Sequence, residues 1–137
     1  MNKRRVVITG LGTLAPNGNT TSEYWDSISK GKSGIGYITK FDAQNLSVKI
    51  AGELSGFNTE DFFDRRDIKR LDPFTIYSLV TTEEALKQSN LDNSNVDMER
   101  VGVIYGTGVG GIQTLEEQHG IYSNRGQRRV SPFFVPR

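Results

Sequence analysis

Two glycine-rich segments have the spacing of loops that bind nucleotide phosphates. Residues 106–111 read Gly-Thr-Gly-Val-Gly-Gly, which matches the pattern G-x-G-x-x-G, and residues 10–15 form a near-match. In a dinucleotide-binding turn, such glycines let a pyrophosphate approach the backbone at a helix N-terminus. The same site requires an acidic residue about 20 positions further on, at the end of the next strand.

Neither segment is followed by that acidic residue. After residue 10 the required distance falls in a predicted helix over residues 25–30, and after residue 106 it falls in the basic stretch 124–129. There is also no lysine in the Walker pattern. The sequence therefore disfavours a nucleotide-binding α/β module and favours close packing of helix and strand backbones as the role of these glycines.

Basic side chains are concentrated in two clusters, residues 65–70 (Arg-Arg-Asp-Ile-Lys-Arg) and residues 125–129 (Arg-Gly-Gln-Arg-Arg). The whole chain is nearly neutral, with 17 basic and 16 acidic residues and a formal charge of +1. We therefore expect no nucleic-acid partner and no membrane partner, and any charged partner must meet a local patch. Because Asp64 and Asp67 lie in the first cluster, a solvated helix face with internal ion pairs is the alternative.

The residue types that most often carry nucleophilic catalysis or bind metals are scarce. The 137 residues include no cysteine and one histidine, His119. This excludes disulfides, thiolate metal sites and a cysteine nucleophile within these residues, so we assign no catalytic residue and no metal site. His119 shares a predicted helical face with Ile112, Leu115 and Tyr122, so we expect a partly buried structural histidine.

The apolar run near the N-terminus ends at Thr9 and Gly10, too early for a signal peptide. No segment approaches the roughly 18 apolar residues of a membrane span. With 24% charged residues and the length of one average domain, the chain is expected to be soluble and cytoplasmic.

The predicted elements follow the order strand, helix, helix, strand, helix, which indicates an α/β fold. The β-branched residues at 6–9 and 101–105 predict buried strands, and a further strand is predicted around residues 48–51. Residues 31–36 predict a tight glycine-rich loop.

Helix boundaries are marked by capping residues. Thr20 to Glu23 has the form of a capping box, before a helix that ends at Gly31. Asn58 is expected to cap a short helix. Asp72 and Pro73 begin a helix over about 73–89 whose apolar residues lie on several faces, which predicts burial.

Four segments together resemble the β-ketoacyl-acyl-carrier-protein synthases, most of all the type II condensing enzymes of fatty acid synthesis. They are residues 3–12 (Lys-Arg-Arg-Val-Val-Ile-Thr-Gly-Leu-Gly), 31–36 (Gly-Lys-Ser-Gly-Ile-Gly), 100–111 and 130–136. They occur in the family's order over the whole chain. The resemblance implies the thiolase-like fold, layered αβαβα, with residues 1–137 forming most of its N-terminal half and stopping before the nucleophile.

The resemblance implies a decarboxylating Claisen condensation of acyl-ACP with malonyl-ACP in fatty acid elongation, carried out by a homodimer. The nucleophile would be a cysteine at a helix N-terminus, which lowers the thiol pKa. The family pattern places this cysteine shortly after Pro136 and two histidines much later, so residues 1–137 alone are expected to be inactive. No cofactor is implied, because the substrates travel on the phosphopantetheine arm of acyl carrier protein.

The resemblance also implies site residues. The residue at Val109's position lines the acyl channel, and that at Phe134's position reaches across the dimer to close its far end; ordinary core packing is the alternative for both. An acidic acyl carrier protein would dock on a positive surface. The family positions that line this docking face are those of Arg66, Lys69, Arg70, Arg128 and Arg129.

A second class of protein stays open, a non-catalytic chain-length factor that pairs with a true synthase and has glutamine at the nucleophile position. Arg137 stands where a small hydroxyl residue is common in the family, which leaves the subtype open. The apolar residues 132–136 are expected to be buried in a core or in a symmetric dimer.

Overall fold

The computed structural model describes residues 4–91 and 96–135, and the chain forms two compact units. The first unit holds Met1–Phe57 and Val80–Val96, and the second holds Asn58–Leu79 and Asp97–Arg137. The helices are α1 (Thr21–Ser29), α2 (Arg65–Ile68), α3 (Pro73–Ser89) and α4 (Ile112–Arg125), and the strands are β1 (Ile35–Tyr37) and β2 (Ile50–Gly52). Single 3-10 turns lie at Thr59–Asp61, Met98–Arg100 and Gln127–Arg129.

Helix α1 begins and ends where the capping residues predict. The Thr20 hydroxyl accepts a hydrogen bond from the backbone N–H of Glu23 at 3.2 Å, which satisfies one of the unpaired donors of the first turn. The Glu23 carboxylate in turn accepts from the N–H of Asn19 at 2.8 Å. Gly31 follows the helix with a φ of +66°, a conformation that favours glycine.

Strands β1 and β2 pair antiparallel, with Ile35 opposite Gly52 and Tyr37 opposite Ile50. The prediction of a strand around 48–51 is thus confirmed, with the observed strand at Ile50–Gly52. The prediction that residues 31–36 are entirely loop is wrong, because Ile35 and Gly36 belong to β1. The alternation of Ile35 and Tyr37 about Gly36 is the strand signal that the glycines obscured.

The hairpin is followed by Glu53, whose carboxylate accepts hydrogen bonds from Thr39 and Lys40. Its Oε2 accepts from the Thr39 hydroxyl at 2.6 Å and from the Thr39 N–H at 3.0 Å, and its Oε1 accepts from the Lys40 N–H at 3.2 Å. These bonds, first of all that from the Thr39 side chain, lower the pKa of Glu53 from its ordinary value of 4.5.

Gly10 and Gly12 lie directly against helix α3. A Cβ on Gly10 would lie 2.0 Å from the carbonyl oxygen of Ala85, and one on Gly12 would lie 1.7 Å from that of Thr81. The close-packing prediction is therefore confirmed for these two glycines. The Glu84 carboxylate, also on α3, accepts from the N–H of Thr13 at 2.8 Å and from the N–H of Thr21 at 2.7 Å.

The strand predictions at 6–9 and 101–105 are wrong for the described chain, where neither segment belongs to a β-ladder. A strand needs a neighbouring backbone to satisfy its N–H and C=O groups. Val6 is 93% exposed and Ile104 is 99% exposed, so the β-branched side chains that suggested burial are uncovered by the described residues.

The burial predicted for α3 is confirmed only in part, at Ile76 and Val80, whereas Leu79 is exposed. The short helix expected at Asn58 is a 3-10 turn, and the Asn58 side chain accepts from the N–H of Glu60 at 3.2 Å. In the parts of the chain that the structure describes, no helix is long and apolar enough to cross a membrane.

Candidate functional site

Helix α4 buries a polar face. Thr114 and Gln118, one turn apart, are 5% and 6% exposed, whereas the predicted apolar face with Ile112 and Leu115 is exposed. His119 is also exposed, so the expectation of a partly buried structural histidine is wrong. Helical spacing alone identified a real apolar stripe, but no described residue covers it.

The N-terminus of α4 is capped by a residue distant in sequence. Gly111 stands at the N-cap position and offers no side chain, so the capping oxygen comes from Asp72. The Asp72 Oδ2 accepts from the Thr114 hydroxyl at 2.5 Å and from the Thr114 N–H at 3.4 Å. A carboxylate in this position satisfies a helix donor and interacts favourably with the positive end of the helix dipole.

The glycine-rich loop 106–111 turns immediately before this cap. The Thr107 hydroxyl accepts from the N–H of Gly110 at 3.1 Å, and Gly110 has a φ of +70°. A Cβ on Gly111 would lie 3.0 Å from the Asp72 Oδ2. The buried carboxylate thus occupies the helix end at which a dinucleotide site would hold its pyrophosphate, and an anion would be repelled there.

Close packing explains only part of the loop. A Cβ on Gly106 or Gly108 would meet nothing within 4 Å among the described residues. The packing prediction is therefore wrong for these two positions and confirmed for Gly111. Val109 directly follows Gly108 and is 70% exposed, which is inconsistent with a core position within the described chain.

The segment after α4 returns along the helix. Gln118 Oε1 accepts from the N–H of Ser131 at 2.7 Å, and the Ser131 hydroxyl accepts from the N–H of Phe133 at 3.2 Å. The N–H of Phe134 then donates to the Ser131 carbonyl oxygen at 3.0 Å. Phe134 is half-buried in this turn, whereas Phe133 and Val135 are exposed.

The two basic clusters lie in the same unit, and Arg70 of the first contacts Phe133, which lies a few residues beyond the second. The guanidinium of Arg70 lies over the ring of Phe133, 5.1 Å from the ring centroid, within the range of a cation–π interaction. Phe133 follows Arg128 and Arg129 by a few residues, so the contact brings the second cluster's segment to the end of the first. We call five of the exposed basic residues of the two clusters the basic surface: Arg66, Lys69, Arg70, Arg128 and Arg129.

Internal ion pairing accounts for little of this charge. Asp64 caps α2 through its Oδ1, which accepts from the N–H groups of Arg66 and Asp67, both at 2.8 Å. One ion pair of this cluster joins Arg65 to Glu60 at 3.1 Å. Within the described ranges, Arg66, Arg128 and Arg129 form no ion pair, so their charge is available to a partner.

The described residues also contain no group of three or more His, Cys, Asp or Glu side chains that could hold a metal ion. The residues that sequence reasoning missed are Asp72, Thr114 and Gln118. The sequence predicts only the start of α3 from Asp72, and the apolar spacing of α4 gives no indication that its polar residues Thr114 and Gln118 are buried. Polar residues at i and i+4 beside a glycine N-cap were the available signal.

Comparison with known proteins identifies the class. Residues 3–137 match the family model described as Beta-ketoacyl synthase, N-terminal domain, and the chain belongs to the β-ketoacyl synthase family.

Two curated relatives indicate how much of such a protein is present. The chain is 46% identical over 133 residues to 3-oxoacyl-[acyl-carrier-protein] synthase 2 of Staphylococcus aureus (strain N315), covering 97% of this chain and 32% of that protein. It is 38% identical over 136 residues to the enzyme of the same name from Synechocystis sp. (strain ATCC 27184 / PCC 6803 / Kazusa). That match covers 99% of this chain and 33% of the relative. The chain thus spans about a third of the length of these relatives.

Solved structures agree on the fold. The ishigamide ketosynthase/chain length factor superimposes with a TM-score of 0.80 at 24% identity, over 98% of this chain and 34% of that one. A type II polyketide ketosynthase solved with its acyl-carrier protein, AntDE:AntF, gives a TM-score of 0.78 at 28% identity, over 97% and 34%. The predicted thiolase-like α/β fold is confirmed, with this chain as its N-terminal part.

Proposed function

We propose that this chain is the N-terminal part of a 3-oxoacyl-[acyl-carrier-protein] synthase, a condensing enzyme that joins acyl-ACP to malonyl-ACP with loss of carbon dioxide in fatty acid elongation. The observation that carries the proposal is 46% identity to a 3-oxoacyl-[acyl-carrier-protein] synthase 2 over 97% of the chain. The proposal places the protein in the cytoplasm, as a homodimer of the type II class, with no cofactor beyond the carrier's phosphopantetheine arm.

The contribution that we propose for the described residues is recognition rather than bond-making. The chain has no cysteine, so the thiolate that the family uses to accept the acyl group must come from elsewhere. We therefore infer that residues 1–137 by themselves form no acyl-enzyme and catalyse no condensation. Their part is to receive the carrier and to line the channel that its acyl chain enters.

The basic surface is the proposed docking site for acyl carrier protein. Its support is the exposure of all five cations in one unit and the absence of ion pairs at Arg66, Arg128 and Arg129 among the described residues. A patch of this kind increases the rate of encounter with an acidic partner even when net charge is near zero. A ketosynthase with a TM-score of 0.78 to this chain was solved with its own acyl-carrier protein, which is consistent with such a role.

Val109 and Phe134 are the proposed channel residues. Val109 is exposed beside the cap of α4. The hydrogen bond that the Ser131 N–H donates to Gln118 Oε1 brings the turn that holds Phe134 back toward the same helix. Side chains at a channel wall limit the accepted chain length by their volume alone.

The alternative function is a non-catalytic chain-length factor. One similar structure combines a ketosynthase with a chain length factor, but at 24% identity it supports only the fold. The two functions differ in one reaction. A condensing enzyme transfers a radiolabelled acyl group from ACP to its own thiol, and a chain-length factor by itself does not.

The decisive experiment is a condensation assay on the natural protein that contains this chain, with acyl-ACP and malonyl-ACP as substrates. We expect 3-oxoacyl-ACP and carbon dioxide in equal amounts, and an acyl-enzyme when malonyl-ACP is omitted. The 137-residue chain assayed in parallel should give neither. A natural protein that neither becomes acylated nor releases carbon dioxide would exclude the condensing enzyme, and activation of a partner synthase would then favour the chain-length factor.

A further inference from the structure

Asp72 is the most deeply buried ionisable side chain near the glycine-rich loop. It is 4% exposed, and its Oδ2 accepts both hydrogen bonds that join it to Thr114, which is 5% exposed. Burial of a carboxylate is costly unless hydrogen bonds and favourable dipoles compensate. The N-terminus of α4 provides both the hydrogen bonds and the favourable dipole. The Asp72 carboxylate and the first turn of α4 therefore stabilise each other.

Asp72 also links two helices through one residue. Its backbone carbonyl accepts from the N–H groups of Thr75 and Ile76 at 3.0 and 3.2 Å, at the start of α3. Its side chain meanwhile caps α4. The start of α4 is therefore fixed relative to the start of α3, and a helix that lacks a capping side chain of its own cannot shift without losing this bond.

The loop 106–111 is held between this cap and its own turn. The Thr107 hydroxyl accepts from the N–H of Gly110, and a Cβ on Gly111 would crowd the carboxylate, at 3.0 Å from the Asp72 Oδ2. Val109 lies between these two restraints. We propose that Asp72, acting with Thr114, is a positioning residue that holds the loop and thereby sets where the Val109 side chain stands in the acyl channel. This inference rests on the proposed function for its link to chain length.

The first test compares two substitutions of Thr114 in the natural protein. Thr114→Val removes the hydroxyl donor at nearly constant volume, and Thr114→Ser keeps the donor. The measured quantity is the ratio of kcat/KM for a long acyl-ACP to that for a short one. We expect Thr114→Val and Asp72→Ala, which removes the acceptor, to change this ratio about tenfold, because the channel wall moves. Thr114→Ser should retain the wild-type ratio.

A merely structural role would give a different result. Loss of folded enzyme lowers the rate for every chain length by the same factor and leaves the ratio unchanged. An unchanged ratio in Thr114→Val, with reduced rates for both substrates, would therefore overturn the inference.

A second test does not depend on activity. Hydrogen exchange of the amides at 107–115 should be about tenfold faster or more in Thr114→Val, which removes the hydroxyl donor, and in Asp72→Ala, which removes the acceptor. Gly111→Ala perturbs the same contact from the loop side, because its Cβ would lie 3.0 Å from the Asp72 Oδ2. Gly120→Ala is the matched control, since a Cβ there meets nothing within 4 Å.

Unchanged exchange in Gly111→Ala and Thr114→Val would show that Asp72 does not hold the loop. If the natural protein proves inactive in condensation, the proposed function fails, and the exchange measurement alone decides whether Asp72 positions the loop.

Discussion

Reversal of one charge in each basic cluster gives the sharpest test of the docking surface. Arg66 lies on α2 and Arg128 in the turn Gln127–Arg129, and both are exposed without an ion pair among the described residues. Because no described ion pair is lost, Arg66→Glu and Arg128→Glu should each change the free energy of unfolding by less than about 0.5 kcal/mol. A change in the free energy of carrier binding that exceeds this stability change therefore reflects a contact with the carrier.

The expected magnitude follows from Coulomb's law. A charge pair at about 4 Å in water is worth about 1 kcal/mol, and reversal replaces that attraction by a similar repulsion. Each substitution should therefore weaken carrier binding by about 2 kcal/mol, or about thirtyfold in Kd. If both clusters contact the same carrier, the double variant should lose about a thousandfold in affinity.

The assay is a titration of acyl carrier protein into the natural protein at two salt concentrations. The wild-type affinity should fall at high salt, because the screening length shortens from about 8 Å at 0.15 M to about 3 Å at 1 M. Lys49→Glu is the control, since Lys49 is an exposed lysine of the first unit and its reversal changes net charge equally. Reaction with a carrier-free acyl-CoA should stay unchanged in all variants. Equal carrier affinity in Arg66→Glu, Arg128→Glu and Lys49→Glu would refute the reasoning.

Three further predictions concern packing, pH and the channel. Gly12→Ala should lower the free energy of unfolding by about 1–3 kcal/mol or more in urea titrations, because its Cβ would lie 1.7 Å from the carbonyl oxygen of Thr81, whereas Gly36→Ala, with nothing within 4 Å, should not. Equal stability of the two variants would contradict this. The pKa of Glu53 is lowered from 4.5, so this carboxylate stabilises the fold above pH 4.5, and the stabilisation is lost as the pH falls through the lowered pKa. The stability difference between wild type and Glu53→Gln should therefore shrink on acidification, and a pH-independent difference would exclude the effect. Val109→Phe should shorten the longest acyl chain accepted, as measured by product chain lengths, and unchanged products would favour core packing.

The sequence predicted best those features that are encoded by neighbouring residues. The cap at Thr20, the end of α1 just before Gly31 and the start of α3 after Asp72 were all confirmed, because each depends on a few adjacent residues. The order of motifs also predicted the family and its fold, which the comparisons confirmed.

The predictions that failed depended on which part of the structure packs against a given segment. Residues 6–9 and 101–105 have strand-like side chains, but a ladder depends on a partner backbone that composition does not specify. His119 was expected to be partly buried because its neighbours at helical spacing are apolar, yet that face is uncovered in the described chain. Side-chain type indicates that a residue prefers to be buried, but it does not identify the element against which the residue packs.

The residues that organise the candidate site were missed for a related reason. Asp72 bonds to Thr114, 42 positions away, and Gln118 bonds to the backbone of Ser131. The polar spacing of Thr114 and Gln118 indicates a polar helix face, but no local pattern identifies the distant partner of either residue. Long-range polar bonds of this kind are visible only once the backbone brings both partners together.

These bonds close a ring of contacts within the second unit. Arg70 contacts Phe133, Asp72 caps α4 through Thr114, and Gln118 of the same helix holds Ser131, two residues before Phe133. The ring begins at Arg70, the end of the first basic cluster, follows α4, and returns through residues 131–133, which lie just after the second cluster. A substitution at any buried member should therefore affect both the basic surface and the loop that holds Val109. Charge reversal at the exposed Arg66 or Arg128, outside the ring, should affect carrier affinity alone. This difference distinguishes residues that contact the carrier from buried residues that position them.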